Sequence, residues 1–351
     1  MLKSQVKKSL HEGAFIPAHP LAITEDKELD ETSQRALTRY YLDSGVGGLA
    51  VGVHTTQFEI RDPRFNLYQR VLKLAVEEME KAKVPDSFIK AAGICGPVEQ
   101  AVEEAEFSKG IGYDLGLLSM GGLEDYSEEQ LLERTRKVAE IIPVFGFYLQ
   151  PAVGGRVLSY EFWERFAGIP NVHAIKLAPF DRYLTFEVVR AVCHSERSDD
   201  IALYTGNDDN IVNDLLTTYK FKINGTVKEK KIVGGLLGHW SVWTKRAVEL
   251  FKEIKQMKNS DCVPDSMLTL AQEITDANGA FFDARNQFKG SIAGINQVLA
   301  SQGLMKGRWC LLDKEELSPG QMDEINRVYA VYPHLHDDDF VEKNLARWLG
   351  N

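Results

Sequence analysis

Residues 171–181 read NVHAIKLAPFD, an apolar run with a lysine near its centre. Val172, Ala174, Ile175, Leu177 and Ala178 make a buried strand of a parallel sheet, whose strands are apolar on both faces. Strand alternation puts Val172, Ala174, Lys176 and Ala178 on one face, and His173, Ile175 and Leu177 on the other. An ammonium on such a face is costly unless it has a partner or a task.

Working outward, the same strand–helix alternation recurs on both sides. GAFIPAHPLAI (13–23), GGLAVGVHTT (47–56), SFIKAAGICG, YDLGLLSM and PVFGFYLQP each precede an amphipathic segment. Asp30, Ser127 and Ser159 are N-cap residue types, and Gln130 three residues after Ser127 completes a capping box. Beyond the lysine strand, IALYTGNDD (201–209) precedes NIVNDLLTTYK, and an eighth strand is placed near INGTV, with KEKK (228–231) as a surface loop and helix resuming from IVGGLLGHW. Strand starts near 13, 47, 87, 113, 143, 171, 201 and 223 give a unit of about 30 residues, the arithmetic of a (β/α)8 TIM barrel. A dinucleotide fingerprint is missing, because GVGG (45–48) precedes a strand instead of following one. From about 258 only helical patterns remain, so the expectation is an α/β barrel over 1–257 and a C-terminal helical extension over 258–351.

Composition narrows the function. The 351 residues are 44% hydrophobic and 26% charged, with 41 Lys+Arg against 51 Asp+Glu and a formal charge of −10. That balance disfavours nucleic acid and anionic membrane, and directs attention to a small-molecule ligand. No apolar run of roughly 18 residues is present, so no membrane span is expected. His11 and Glu12 interrupt any signal peptide, and Cys95, Cys193, Cys262 and Cys310 are scattered, which suits a reducing cytoplasm and neither zinc nor a disulfide framework.

In a barrel, a strand lysine close to the carboxyl end lies where catalytic groups gather. A free amine with a pKa of about 10.4 is protonated at neutral pH, but burial disfavours the charged form and leaves a nucleophile that attacks ketones or aldehydes to give an imine. The alternative is a lysine that reaches the rim or pairs with Asp208 or Asp181. Imine chemistry needs a proton carrier, and Tyr148, near the carboxyl end of the preceding strand, is the candidate. Thr55 and Thr56, ending strand two, offer hydroxyls and turn amides to a substrate carboxylate.

Together these residues resemble the dihydrodipicolinate synthase and N-acetylneuraminate lyase family of Schiff-base barrels, over roughly residues 13–330. GGLAVGVHTTQFE resembles the family's Gly-Thr-Thr-Gly-Glu segment, FYLQPAVGG its Tyr-Asn-x-Pro segment, HAIKLAP its Gly-x-Lys strand and YTGNDD its Ser-Gly-Asp-Asp segment. The resemblance implies a lyase or aldolase acting on pyruvate or another 2-keto acid. Lys176 would form the imine, Tyr148 would relay protons, and Thr55 and Thr56 would hold the carboxylate, Thr56 counting with the catalytic residues and Gly206 and Asn207 with the substrate-binding ones. It implies no metal and no organic cofactor, and a homo-oligomer, tetramer or dimer. A sugar-acid dehydratase or hydrolase using the same imine and a non-catalytic keto-acid-binding barrel are the alternatives.

Departures from the family concern the second substrate. Where the synthases carry an arginine five residues after the tyrosine, this chain has Val153, with Arg156 close by as a substitute for substrate binding. The strand-four loop reads SMGGLEDY, with Tyr126 in place of the family's earlier tyrosine. His54, before the threonine pair, is either a hydrogen-bond donor to an aldehyde portion or a histidine bonded to backbone. His239 and Trp240 are either pocket residues or helix packing. HLHDDD (334–339) has metal-ligand residue types but reads as a solvated tail.

Overall fold

The computed structural model describes residues 1–258, 260 and 262–350. Eight parallel strands form the barrel: β1 (Phe15–Pro17), β2 (Gly48–Val51), β3 (Ile89–Ile94), β4 (Leu115–Ser119), β5 (Val144–Leu149), β6 (Val172–Ala178), β7 (Ala202–Thr205) and the second half of β9 (Thr226–Leu237). Each pairs with its neighbour in chain order, β9 with both β7 and β1, and the Ala18–Ala50 bridge closes the ring between β1 and β2. This is the (β/α)8 barrel of the sequence reading.

The outer ring carries α2 (Glu31–Ser44), α3 (Tyr68–Lys81), α4 (Val98–Gly110), α5 (Glu128–Ile141), α6 (Tyr160–Gly168), α7 (Arg182–His194), the short α8 (Ile211–Leu216) and α9 (Thr244–Met257). The expected caps form: Asp30 accepts from the Ser33 N–H, Ser159 from the Phe162 N–H, and Ser127 and Gln130 make a reciprocal capping box. Ahead of the barrel, α1 (Ser4–Glu12) plugs its N-terminal end. Val6 and Leu10 are buried in the barrel interior, Lys3 and Lys7 pair with Asp114 and Asp200 at 2.9 and 2.8 Å, and the Tyr204 phenol donates to Leu10 O while accepting from Ala14 N.

Strand eight is not where the sequence reading put it. INGTV belongs to an antiparallel hairpin of β8 (Thr218–Ile223) with the first half of β9, turning at Asn224 and Gly225, both in the left-handed region (φ 50° and 82°). Such an Asn-Gly pair is the preferred two-residue hairpin turn. KEKK is therefore strand, not loop, and IVGGLL is the barrel strand, with helix resuming only at Thr244.

The C-terminal residues form α10 (Asp265–Phe281), α11 (Ser291–Ser301), α12 (Gln321–Val331) and α13 (Asp338–Leu349). They bury Phe281, Val328 and Trp348 in the same apolar cluster that packs the helical ring on the barrel. HLHDDD is no solvated tail throughout. Asp337 is buried and accepts from the Tyr40 hydroxyl at 2.7 Å, the Lys245 N–H at 2.9 Å and the Gln302 amide at 2.9 Å. Among the described residues no helix is long and apolar enough to cross a membrane.

Candidate active site

Lys176 sits on β6 opposite Phe147 of β5 and Tyr204 of β7. Its side chain points into the barrel mouth, only 6% exposed, and lines a cavity of about 40 Å³. Gly206 makes the path for it: a Cβ there would lie 2.4 Å from Lys176 Cε and 2.8 Å from Ala178 Cβ. Nζ stands 4.1 Å from the centroid of the Phe147 ring. Among the described residues it has no ion pair or hydrogen bond, although the Asp208 carboxylate forms part of the same wall. Burial lowers the lysine pKa and Asp208 partly offsets this; burial likewise raises the Asp208 pKa, against the His239 N–H and the Lys176 charge. The His239 N–H donates to Asp208 Oδ1 at 2.7 Å.

His54 and Thr55 also line the cavity. Burial, reinforced by the Lys176 charge, pushes the His54 pKa down to about 4, so its imidazole is neutral. The Thr55 hydroxyl donates to Ala18 O at 2.8 Å. Phe180, from the loop after β6, and Phe288, from the extension, meet edge to face over the mouth with centroids 5.4 Å apart. Both carry left-handed backbone (φ 53° and 65°). Phe282, Ser291, Ile292 and Ile295 complete the wall from the C-terminal side. Outside it lies a wider cleft of about 830 Å³, sharing His54, Val153, Phe288, Ser291 and Ile292 with the inner chamber.

Four expected site residues lie elsewhere. Tyr148 faces outward against Trp163 (centroids 4.9 Å apart), with its hydroxyl lacking a well-formed hydrogen bond among the described residues. The cause is a bulge. β5 and β6 pair Val144 with Val172 but Phe145 with Ala174, so His173 is the extra residue and the parity shifts by one. Phe147, not Tyr148, thus stands beside Lys176, and Val172 joins the outer cluster instead of the lysine face. The Thr56 hydroxyl is spent on its own turn, accepting from the Gly52 and Val53 N–H groups and donating to His19 O. Asn207 is buried behind the wall, where it accepts from the Phe180 N–H and donates to Asp214 and Thr185. Arg156 donates to the Leu123 and Tyr126 carbonyls of the strand-four loop, so its guanidinium does not stand in for the missing arginine.

Trp240 stacks flat on Phe15 with centroids 3.7 Å apart, and His239 packs near Phe281; both are packing residues. Phe147, Gln150, Phe180 and the C-terminal wall were not singled out from the sequence. Only the apolar pair Phe281–Phe282 and Phe288, flanking the polar turn between them, hinted that this segment meets a greasy surface.

No protein-family model and no curated protein matches the chain's sequence. Solved structures do match. An N-acetylneuraminate lyase from Fusobacterium nucleatum complexed with pyruvate superposes with a TM-score of 0.70 at 18% identity, covering 93% of this chain and 99% of that one. A dihydrodipicolinate synthase from Oceanobacillus iheyensis gives 0.72 at 15%, covering 93% and 99%. YagE from E. coli K12, a prophage protein of the dihydrodipicolinic acid synthase family in complex with pyruvate, gives 0.72 at 16%, covering 92% and 98%. This is the fold of the dihydrodipicolinate synthases and N-acetylneuraminate lyases. At such identities the shared property is the synthase–lyase architecture, which the present chain carries with a phenylalanine where the bulge brings β5 against its lysine.

Proposed function

We propose that this protein is a Schiff-base lyase or aldolase that makes or breaks a carbon–carbon bond of pyruvate or another 2-keto acid through an imine on Lys176. The observation that carries this reading is a buried amine without an ion pair among the described residues, facing a cavity at the carboxyl end of the barrel strands. Burial favours the uncharged amine, which is the form that adds to a carbonyl. The protonated imine then withdraws electrons from the adjacent carbon, so the route calls on no further cofactor. Thr55 and His54, on the same chamber wall as the amine, are among the polar groups available to the keto acid's oxygens. Pyruvate in the Fusobacterium and E. coli structures supports the substrate class. The four scattered, free cysteines support a cytoplasmic setting, and assembly into dimers or tetramers belongs to the same reading.

One observation favours a second reading. With the Tyr148 phenol outside the chamber, a barrel that binds a keto acid without turning it over needs nothing more than the amine and the pocket.

Incubation with pyruvate and a panel of 2-keto acids under borohydride, followed by mass analysis of the Lys176 peptide, tests the imine. A reduced adduct on Lys176 that Lys176→Ala abolishes is expected. Absence of an adduct across the panel would sink it. Aldehyde release from 4-hydroxy-2-keto acids separates a lyase from a dehydratase and from a binder.

A further inference from the structure

We infer that Asp208 is the proton carrier of the Lys176 site, in the place that the outward-facing Tyr148 leaves open. This rests on the imine reading above. Imine formation must both protonate an oxygen and remove protons from nitrogen and carbon, so some group on the cavity wall has to exchange protons repeatedly. The side chains there with exchangeable protons are His54, Thr55, Gln150, Lys176, Asp208 and Ser291.

Most are disqualified by chemistry. The Thr55 hydroxyl is committed to Ala18 O, and an alcohol or amide neither gives nor takes a proton easily near neutrality. His54 is held neutral by burial and by the Lys176 charge, which makes its imidazolium too acidic to persist as a donor. Asp208 differs. The His239 N–H donates to Oδ1 and so orients the carboxyl, which forms part of the chamber wall. The charged and titratable groups around it are Lys176 from β6, His54 from the turn after β2 and Asp209 next in the chain, with His239 meeting it through its backbone. Burial, the Asp209 charge and the shared wall with Lys176 let the pair exist as neutral amine and carboxylic acid as well as ammonium and carboxylate.

The neutral pair has the protons the first step needs. The Lys176 lone pair forms the C–N bond to C2 as the C=O π bond breaks, and the oxygen takes the Asp208 proton. Asp208 carboxylate then accepts a proton from nitrogen and returns it to the hydroxyl, which leaves as water. Overall, amine, ketone and carboxylic acid become protonated imine, water and carboxylate. That carboxylate next removes a proton from C3 to give the enamine, and gives it back on reversal.

Deuterium exchange at C3 of pyruvate, followed by proton NMR in D₂O alongside borohydride trapping, tests this on the full chain. Asp208→Asn keeps an oxygen for the His239 N–H, and thermal unfolding checks that it folds. Exchange and trapping are expected to fall about 100-fold or more, with Asp208→Glu recovering part and Tyr148→Phe, whose ring lies outside the chamber against Trp163, staying within several-fold of the parent. The pH profile of exchange should lose one limb in Asp208→Asn. A carboxylate that merely held the lysine charged would give the opposite sign, since removing it frees the amine and speeds trapping at neutral pH. Trapping as fast as the parent or faster in Asp208→Asn, or loss confined to Tyr148→Phe, overturns the assignment while leaving the imine intact. A parent that forms no Lys176 adduct overturns both.

Discussion

An amine taken out of water on nearly every side binds its proton less tightly than one in an unfolded chain, and that difference is a stability cost as well as a chemical opportunity. The folded pKa of Lys176 lies below its unfolded value of about 10.4. Between the two, the unfolded chain binds more protons, so this residue's contribution makes stability rise with pH; below the folded pKa the full cost is present. Asp208 is shifted upward, and its contribution runs the other way, favouring the fold below the unfolded carboxyl pKa and fading as pH rises through the folded one. Lys176→Met fills similar space without a charge. It is expected to unfold later than the parent near neutral pH, by on the order of 1 kcal/mol or more, with the gap narrowing toward pH 10. Denaturant titrations of both proteins across that range measure it. A variant less stable than the parent at every pH would show that Lys176 is a structural ion-pair member and not a group held at a cost for chemistry.

At the scale of elements, apolar periodicity and turn chemistry carried most of the fold. Seven barrel strands, the capped starts of α2, α5 and α6, and the inward face of Lys176 were all legible because each depends on residues adjacent in the chain. The failures have the opposite character. The β6 bulge at His173 is set by pairing with β5 and has no glycine to announce it, so a Tyr and a Lys 28 positions apart look in phase and are not. KEKK looked like loop because its charges hide the alternation of a hairpin arm, although Asn224-Gly225 was a readable turn. The bulge has a direct consequence. Tyr148→Phe removes only a buried hydroxyl that has no well-formed partner, so stability should change by less than about 1 kcal/mol, and adduct formation on Lys176 should match the parent. Loss of trapping in that variant would mean that the phenol reaches the chamber in solution.

For the whole molecule, the decisive relation is between the barrel and the chain after Met257, and it was the least legible, because nothing local says which helix folds over which end. Strand patterns stop near 258, yet Phe282, Phe288 and Ile292 become the outer wall of a chamber whose inner wall comes from the barrel strands. The joint is polar and buried. Asp337, ahead of α13, gathers three donors: the Tyr40 hydroxyl of α2, the Lys245 N–H of α9 and the Gln302 amide after α11, while Tyr40 in turn accepts from the Thr244 N–H. Trp348 of α13 packs on Tyr40 with centroids 5.4 Å apart. An extension held this way unfolds with the barrel, not before it. Calorimetry should therefore show one transition, which Asp337→Ala lowers as a unit by about 3 kcal/mol, the cost of leaving buried donors without an acceptor. Because the wall around Lys176 depends on the same helices, borohydride trapping should disappear over the same temperature interval. Two resolved transitions, the first leaving trapping intact, would instead make residues 258–351 an independent domain and the chamber a property of the barrel alone.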